Sequence, residues 1–246
     1  MADPNRDRFE RVVRLLEPVL DALVFVDGCV TGLMITDPAA AGIRPTRDVD
    51  AIADLTSYAM YIALSNQLRG SGLKGDTTEG APAGRWRHGN ALIDIVPTDR
   101  SVLGFSNSWY APAMASAQRI TVAGLQVRII TPAFYLATKL EAFHVRGQAD
   151  VITSSDLEDL VMVVDGRPQL IEEIERADPQ VRQFIAAGTS ALMDNRRFTD
   201  SLAAFLPSDR ASQARRPLLG KRLQAIAALQ RPGGGRISQS GDVIIP

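Results

Sequence analysis

The spacing of apolar residues changes near residue 131, and this change limits the folds that the chain can adopt. Before it, short apolar runs typical of strands, such as Leu23–Val26 and 91–96, alternate with segments of helical spacing. From Thr131 almost to residue 230, apolar residues keep the spacing of amphipathic helices. The sequence therefore predicts an α+β chain whose strands lie in its first half.

The same change gives the predicted domain boundaries. We expect a sheet-containing core over residues 1–130 and a helical domain over residues 131–230. Within that domain a helix is predicted to start at Ser155, with Glu158 three residues later completing a capping box. Within residues 231–246, Pro232 and three consecutive glycines at 233–235 are followed by polar residues, and we expect a disordered tail.

Composition and charge exclude several classes of protein. The chain has 246 residues, of which 46% are hydrophobic and 22% charged, as in soluble globular proteins with a real core. No apolar run approaches the roughly 18 residues that a membrane helix needs, so we expect a cytoplasmic protein that does not bind membranes. The one cysteine, Cys29, excludes an internal disulfide framework and a cysteine-rich zinc site. A net charge of -1 argues against a uniformly basic nucleic-acid surface, while leaving room for local basic stretches.

Three aspartates carry the strongest indication of chemistry. Asp48 and Asp50 lie two positions apart at a predicted strand, so their side chains project from the same face. At about 4 Å two carboxylates repel by roughly 4 kcal/mol at an effective dielectric near 20, so the pair needs solvent, a shared proton or a divalent cation. Asp94 interrupts an otherwise apolar strand, where a lone buried acid is costly. If the two strands are neighbours, three carboxylates converge, and oxygen ligands of this kind suit Mg²⁺ or Mn²⁺.

Four motifs, in this order along residues 24–165, give the sequence a resemblance to a known family. The first three are a glycine turn at 26–30, the Asp-x-Asp motif at 46–50 and the strand acid at 93–96. The fourth is a pair of helices, a lysine helix at 135–143 with Arg146 after it and an Asp-x-x-Asp helix at 155–160. With them the chain resembles the AbiEii-type nucleotidyltransferases, which include the MenT-like toxins of toxin–antitoxin systems. The resemblance implies a mixed-sheet nucleotidyltransferase core followed by a C-terminal helical domain.

The resemblance also implies an activity. It is the transfer of a nucleoside monophosphate from a nucleoside triphosphate to an acceptor hydroxyl, with Mg²⁺ or Mn²⁺ as cofactor and pyrophosphate as leaving group. The acceptor that the family suggests is the 3′ end of tRNA. The partners would then be the nucleoside triphosphate, tRNA and a cognate antitoxin protein.

Each motif receives a role from the resemblance. Asp48, Asp50 and Asp94 are implied to bind metal and to be catalytic, with Asp94 also a candidate base for the acceptor hydroxyl. Lys139 is implied to be catalytic and to contact phosphate. The residues expected to bind nucleotide are Gly28, Cys29, Arg47, Lys139, Asp156 and Asp159. Arg44 and Arg47 flank the Asp-x-Asp pair and either contact phosphate or neutralise local negative charge.

Several of these roles have a structural alternative that the sequence leaves open. The Asp-x-Asp pair is otherwise a pair of solvated acids at the end of a strand. Lys139 is otherwise a surface lysine whose alkyl chain covers apolar side chains. Asp156 and Asp159 are otherwise acids that favour the dipole of the helix that they begin. Gly28 is otherwise the glycine of a structural turn.

One residue departs from the family pattern. Family members have a second small residue in the glycine turn, whereas this chain has Asp27 before Gly28 and Cys29 after it. A carboxylate repels a triphosphate, so either Asp27 points away from the site or nucleotide binding is weakened. Asp27 therefore keeps open a degenerate member that binds nucleotide or a partner protein without turnover. The slightly acidic net charge keeps open a small-molecule nucleotidyltransferase of the aminoglycoside type with an acidic acceptor pocket.

Two basic segments complete the candidate surfaces. The segment Arg85–His88 mixes basic and aromatic side chains, which is typical either of a base-stacking surface or of an exposed hairpin with one packed tryptophan. A second basic run lies on the last predicted helix and either grips RNA phosphates or forms a solvated helix face. Its residues are Arg210, Arg215, Arg216, Lys221 and Arg222.

Overall fold

The computed structural model of the chain describes residues 3–40, 42–146 and 151–230, which form a seven-stranded sheet with helices packed on it. The strands are β1 (Leu23–Val26), β2 (Asp48–Ala53), β3 (Lys74–Gly75), β4 (Arg85–His88), β5 (Ala91–Pro97), β6 (Gln118–Val122) and β7 (Leu125–Ile129). Their order across the sheet is β3-β4-β5-β2-β1-β7-β6.

The sheet is mixed, which confirms the predicted fold class. β2 runs parallel to β5, and β1 runs parallel to β7. The remaining neighbours, including β1 with β2 and β4 with β5, are antiparallel. A parallel pair needs a crossover connection, and between β2 and β5 the chain forms a helix and the β3–β4 hairpin. The β6–β7 hairpin was not predicted from the sequence.

The two strands that carry the predicted acids lie side by side at the centre of the sheet. In the parallel register of β2 and β5, Asp50 pairs with Asp94 and Val49 pairs with Ile93. The apolar residues of both strands are largely buried, and β1 on the other side of β2 is buried along its whole length. The register therefore brings the Asp-x-Asp motif and the strand acid to one end of a buried sheet.

The helices fall into a group around the sheet and a group in the second half of the chain. The first group is α1 (Arg6–Leu15), α2 (Thr31–Met34), α3 (Tyr58–Gly70), α4 (Arg100–Leu103) and α5 (Tyr110–Ala115). The second is α6 (Pro132–Val145), α7 (Ser155–Gly166), α8 (Leu170–Arg176), α9 (Pro179–Asp194), α10 (Arg196–Asp200), α11 (Arg210–Gln213) and α12 (Arg216–Ala228). Short 3₁₀ segments occupy Glu17–Ala22, Asp27–Val30 and Leu202–Phe205.

The second half of the chain is helical, as its apolar spacing predicted. Within the described residues, the chain after Pro132 contains helices and connecting segments and no strand. α6 is buried along most of its length and packs on α7 and α9. The predicted domain boundary at residue 131 stays a prediction, and the predicted tail at 231–246 lies outside the described residues. No helix that the structure describes is long and apolar enough to cross a membrane.

The start of α7 differs by one residue from the predicted capping box. The N-cap residue is Ser154, whose Oγ accepts a hydrogen bond from the amide of Leu157 at 3.3 Å. Ser155, the predicted cap, is the first residue inside the helix. Because two serines are adjacent, the backbone conformation decides which of them caps, and Ser154 has the extended conformation that an N-cap needs.

Candidate active site

The structure brings the three predicted acids together. One carboxylate oxygen each from Asp48, Asp50 and Asp94 lies within 4.8 Å of the others. Asp48 and Asp50 are half-buried, and Asp94 is buried with 8% of its surface exposed. These three residues form the acidic triad. The sheet positions the triad through the register of β2 against β5, so its geometry does not depend on a loop.

Asp50 is the acid of the triad that most needs a proton or a cation. Burial raises the pKa of Asp50 well above its ordinary value, and the charges of Asp27, Asp48 and Asp94 raise it further. Among the described residues, no donor forms a hydrogen bond with its carboxylate. A group of carboxylates in this state suits a hard divalent cation, which takes oxygen ligands and offsets their repulsion. The donor set therefore fits Mg²⁺ or Mn²⁺.

Arg85 is a residue of the site that sequence reasoning did not identify. Its Nε and Nη2 donate to the two oxygens of Asp94 at 2.7 and 2.6 Å, and Nη2 also donates to Asp48 at 2.8 Å. The next residue, Trp86, is 2% exposed, so the predicted hairpin with one packed tryptophan is confirmed. Side chains alternate along a strand, so Arg85 and Trp86 project from opposite faces of β4. Arg85 therefore reaches the triad while Trp86 packs inside the protein.

Lys139 lies inside the protein and not on its surface. It is 2% exposed, so the surface-lysine alternative is wrong. Its Nζ donates to Asp159 at 2.7 Å and to Asp156 at 3.4 Å, and it also forms an ion pair with Asp27. Burial alone would lower the pKa of Lys139, but the surrounding acids hold it well above the ordinary value for lysine. The ammonium is therefore charged and surrounded by carboxylates.

Asp27, the departure from the family pattern, faces the site. It lines the same cleft as the triad, so the alternative in which it points away is wrong. Its φ is 61°, a left-handed conformation that a residue with a side chain rarely adopts. Burial alone would raise its pKa, but Lys139 and the amide of Gly28 hold the pKa below its ordinary value. The extra negative charge is thus balanced by a buried lysine.

Gly28 and Cys29 lie behind Asp27 and do not line the cleft. The amide of Gly28 donates to Asp27 at 2.6 Å, and an added Cβ at Gly28 would lie 2.6 Å from Cγ2 of Thr46. The thiol of Cys29 donates to the carbonyl of Val26 at 3.0 Å, and burial raises its pKa well above the ordinary value. Glycine at 28 therefore permits close packing of the turn, and the nucleotide-binding roles of both residues stay predictions.

The two acids of α7 connect Lys139 to arginines of the cleft. Asp159 accepts two hydrogen bonds from Arg44, at 2.8 and 2.9 Å. Asp156 accepts one from Arg146 at 2.8 Å. Both acids are buried, whereas both arginines line the cleft. The Asp-x-x-Asp motif thus positions Lys139, Arg44 and Arg146. A favourable interaction with the helix dipole alone does not explain these contacts.

A cleft of about 610 Å³ lies over the triad and is lined by charges of both signs. Its acids are Asp27, Asp48, Asp50, Asp94 and Glu141, and its arginines are Arg44, Arg47, Arg85 and Arg146. Of these residues, Arg47 is exposed to solvent. Glu141 accepts hydrogen bonds from the amide and hydroxyl of Ser108. Phe105 adds an aromatic side chain that is 42% exposed. The cleft can therefore hold an anionic ligand beside a cation site.

The C-terminal basic run is partly used inside the protein. Arg215 donates to Asp165 at 2.8 Å and to Asp37 at 2.7 Å, and Arg222 donates to the carbonyls of Val164 and Asp165. These contacts tie α12 to α7. Two of the five basic residues are therefore structural, neither free to grip RNA nor merely solvated.

The chain matches no protein-family model and no curated protein. Among solved structures, it is similar to the crystal structure of an antigenic nucleotidyltransferase-like protein from Paracoccidioides brasiliensis. The two share 20% sequence identity with a TM-score of 0.48, and the alignment covers 81% of this chain and 92% of that one.

Proposed function

We propose that the protein is a nucleotidyltransferase that depends on a divalent cation and moves a nucleoside monophosphate from a nucleoside triphosphate to an acceptor hydroxyl. The observation that carries the proposal is the acidic triad, three carboxylates within 4.8 Å on neighbouring strands at the base of a cleft. Phosphoryl transfer needs charge neutralisation and positioning more than covalent chemistry, and a divalent cation held by these carboxylates would supply both.

The triad would hold the cation. Mg²⁺ or Mn²⁺, when bound, neutralises phosphate charge and helps to activate the attacking hydroxyl. Asp48 and Asp50 offer oxygens that face the cleft, and Asp94 is positioned by Arg85 to receive a proton from the acceptor or to share the cation. The sheet register holds all three carboxylates before substrate arrives, so little ordering cost is left for the reaction.

Arginines at the cleft are proposed to bind the triphosphate. Arg44 and Arg146 are oriented by the buried carboxylates of Asp159 and Asp156, and Arg47 is exposed beside the triad. A guanidinium group presents a planar set of donors that matches phosphate oxygens. In this arrangement Lys139 positions the acids and arginines from behind, and Phe105 offers a ring against which a base can stack.

For the acceptor we propose RNA, with the 3′ end of tRNA as the acceptor that the AbiEii resemblance suggests, in a toxin held in check by an antitoxin. The cleft supports an anionic acceptor more than a cationic one. Its acids outside the triad are Asp27 and Glu141. Asp27 is paired with Lys139, and Glu141 accepts hydrogen bonds from Ser108. A cationic aminoglycoside would find few free carboxylates there.

A nucleotide-binding protein without turnover is the second candidate. The observation in its favour is Arg85, whose guanidinium lies on two of the three carboxylates. A tightly held arginine would oppose cation binding by charge repulsion. Such a protein would bind nucleoside triphosphate at the arginines but would not transfer its monophosphate.

Incubation with labelled nucleoside triphosphates, Mg²⁺ and total RNA separates these functions. We expect label to enter RNA of tRNA size, and to be lost when the cation is chelated. Label entering only small molecules would support the small-molecule enzyme. Nucleotide binding without transfer to any acceptor would contradict the proposed activity and support the second candidate.

A further inference from the structure

Arg85 is a cation that the fold itself places on the acidic triad. Its guanidinium uses both oxygens of Asp94, at 2.7 and 2.6 Å, and Oδ2 of Asp48 at 2.8 Å. The side chain of Arg85 is 18% exposed, so the contact is largely shielded from solvent. Three of the six carboxylate oxygens of the triad are therefore occupied by one residue.

The sheet fixes this contact through its register. Arg85 on β4 pairs with Asp94 on β5, and Asp94 pairs with Asp50 on β2. A bidentate arginine–carboxylate pair is among the stronger charged hydrogen bonds, and its planar geometry is specific. Arg87, two residues further along β4, is 46% exposed and pairs with Asp76 at 3.6 Å, away from the triad. The contact with the triad is thus particular to Arg85 among the arginines of this strand.

A second divalent cation would need the oxygens that Arg85 occupies. Hard cations bind carboxylate oxygens directly, and a guanidinium within a few ångströms repels them. Among the described residues, no donor bonds to the Asp50 carboxylate or to Oδ1 of Asp48. Of the six carboxylate oxygens of the triad, these three are left for a cation.

We propose that Arg85 takes the place of a second divalent cation in the nucleotide-free protein, so that the triad binds one ion through Asp48 and Asp50. The inference rests on the metal site of the proposed function and specifies how many ions that site takes. Arg85 is on this view a positioning residue, because it acts through Asp48 and Asp94 and supplies part of the positive charge that the carboxylates require.

Titration of the nucleotide-free protein with Mn²⁺, followed by electron paramagnetic resonance of the unbound ion, tests the inference. We expect one bound Mn²⁺ in the wild type. Arg85→Gln removes the charge but keeps a hydrogen-bond donor, and this variant is expected to bind a second Mn²⁺ at least about tenfold more tightly than the wild type does. Arg85→Lys keeps the charge and is expected to bind one ion, as is the control Arg87→Gln.

Circular dichroism of each variant verifies that it is folded before the ions are counted. Two equivalent Mn²⁺ ions on the wild type would overturn the inference, whatever the variants do. One ion on both the wild type and folded Arg85→Gln would overturn it too, because Arg85 would then be structural. Absence of Mn²⁺ binding in all proteins would contradict the metal site itself, and with it the proposed function.

Discussion

Replacement of Lys139 by methionine is expected to destabilise the protein more than any other single substitution of a lysine. Lys139 is buried among Asp27, Asp156 and Asp159, and methionine keeps its length without its charge. Removing one partner of a buried ion pair leaves an uncompensated charge and costs about 3–5 kcal/mol. Because domains of this kind are stable by about 5–15 kcal/mol, the loss is a large fraction of the total. Urea unfolding of both proteins measures it.

Lys221→Met is the matched control, because Lys221 is exposed on α12. A second control is the double variant Lys139→Met with Asp27→Asn. Asp156 and Asp159 keep their arginines when the lysine is lost, so Asp27 is the acid left without a cation. The double variant should recover part of the lost stability. Equal free energies of unfolding for Lys139→Met and Lys221→Met would contradict a buried charge at position 139.

Asp50→Asn is expected to abolish the proposed nucleotidyl transfer and to stabilise the cation-free protein. Loss of a carboxylate proposed to bind the cation should reduce transfer at least about 10³-fold, because a bound metal ion stabilises the transition-state charge by several kcal/mol. Stability moves in the opposite direction, since an asparagine side chain cannot ionise, whereas burial and neighbouring acids raise the pKa of Asp50 well above 3.8. Each unit of that pKa difference corresponds to about 1.4 kcal/mol.

The dependence on pH gives this prediction its sign. Between the unfolded pKa of Asp50 and its raised folded pKa, the folded protein holds a proton that the unfolded chain has lost, so rising pH destabilises the wild type. Asp50→Asn does not lose this stability as the pH rises, because asparagine does not titrate. The variant should therefore be more stable near neutral pH, and the difference should vanish below about pH 4, where the carboxyl is protonated in both states. A destabilised variant at neutral pH without cations would show that Asp50 is ionised and well compensated.

The acidic triad could be predicted because its signals are local. Asp48 and Asp50 are two positions apart on a strand, which places them on one face whatever the rest of the fold does. Asp94 stands among buried apolar residues, where an acid needs a partner. The structure added the register that makes β2 and β5 neighbours.

Arg85 and Lys139 could not be assigned in the same way, because their partners are distant in the sequence. Arg85 reaches Asp48 from 37 residues away, and the contact depends on the register of β4 against β5. Lys139 reaches Asp27 from 112 residues away, and helical spacing placed it only beside the apolar face of α6. Tertiary packing determines the contacts of both side chains, and the periodicity of the sequence gives no signal for them.

The β6–β7 hairpin was missed for a different reason. In β6, which lies at the edge of the sheet, half-buried positions alternate with exposed ones as far as Val122, as on a strand with one face in solvent. Charged and polar residues such as Arg119, Thr121 and Gln126 interrupt the apolar pattern. These strands therefore lack the apolar runs that mark β1 and β5 in the sequence.

Transfer from nucleoside triphosphate labelled at either the α- or the γ-phosphate tests the nucleotidyltransferase assignment most directly. We expect the α-label, and not the γ-label, to enter RNA in the presence of Mg²⁺. Asp48→Ala, verified as folded by circular dichroism, should transfer neither label. Entry of the γ-label into the acceptor, or undiminished transfer by Asp48→Ala, would contradict nucleotidyl transfer at the acidic triad.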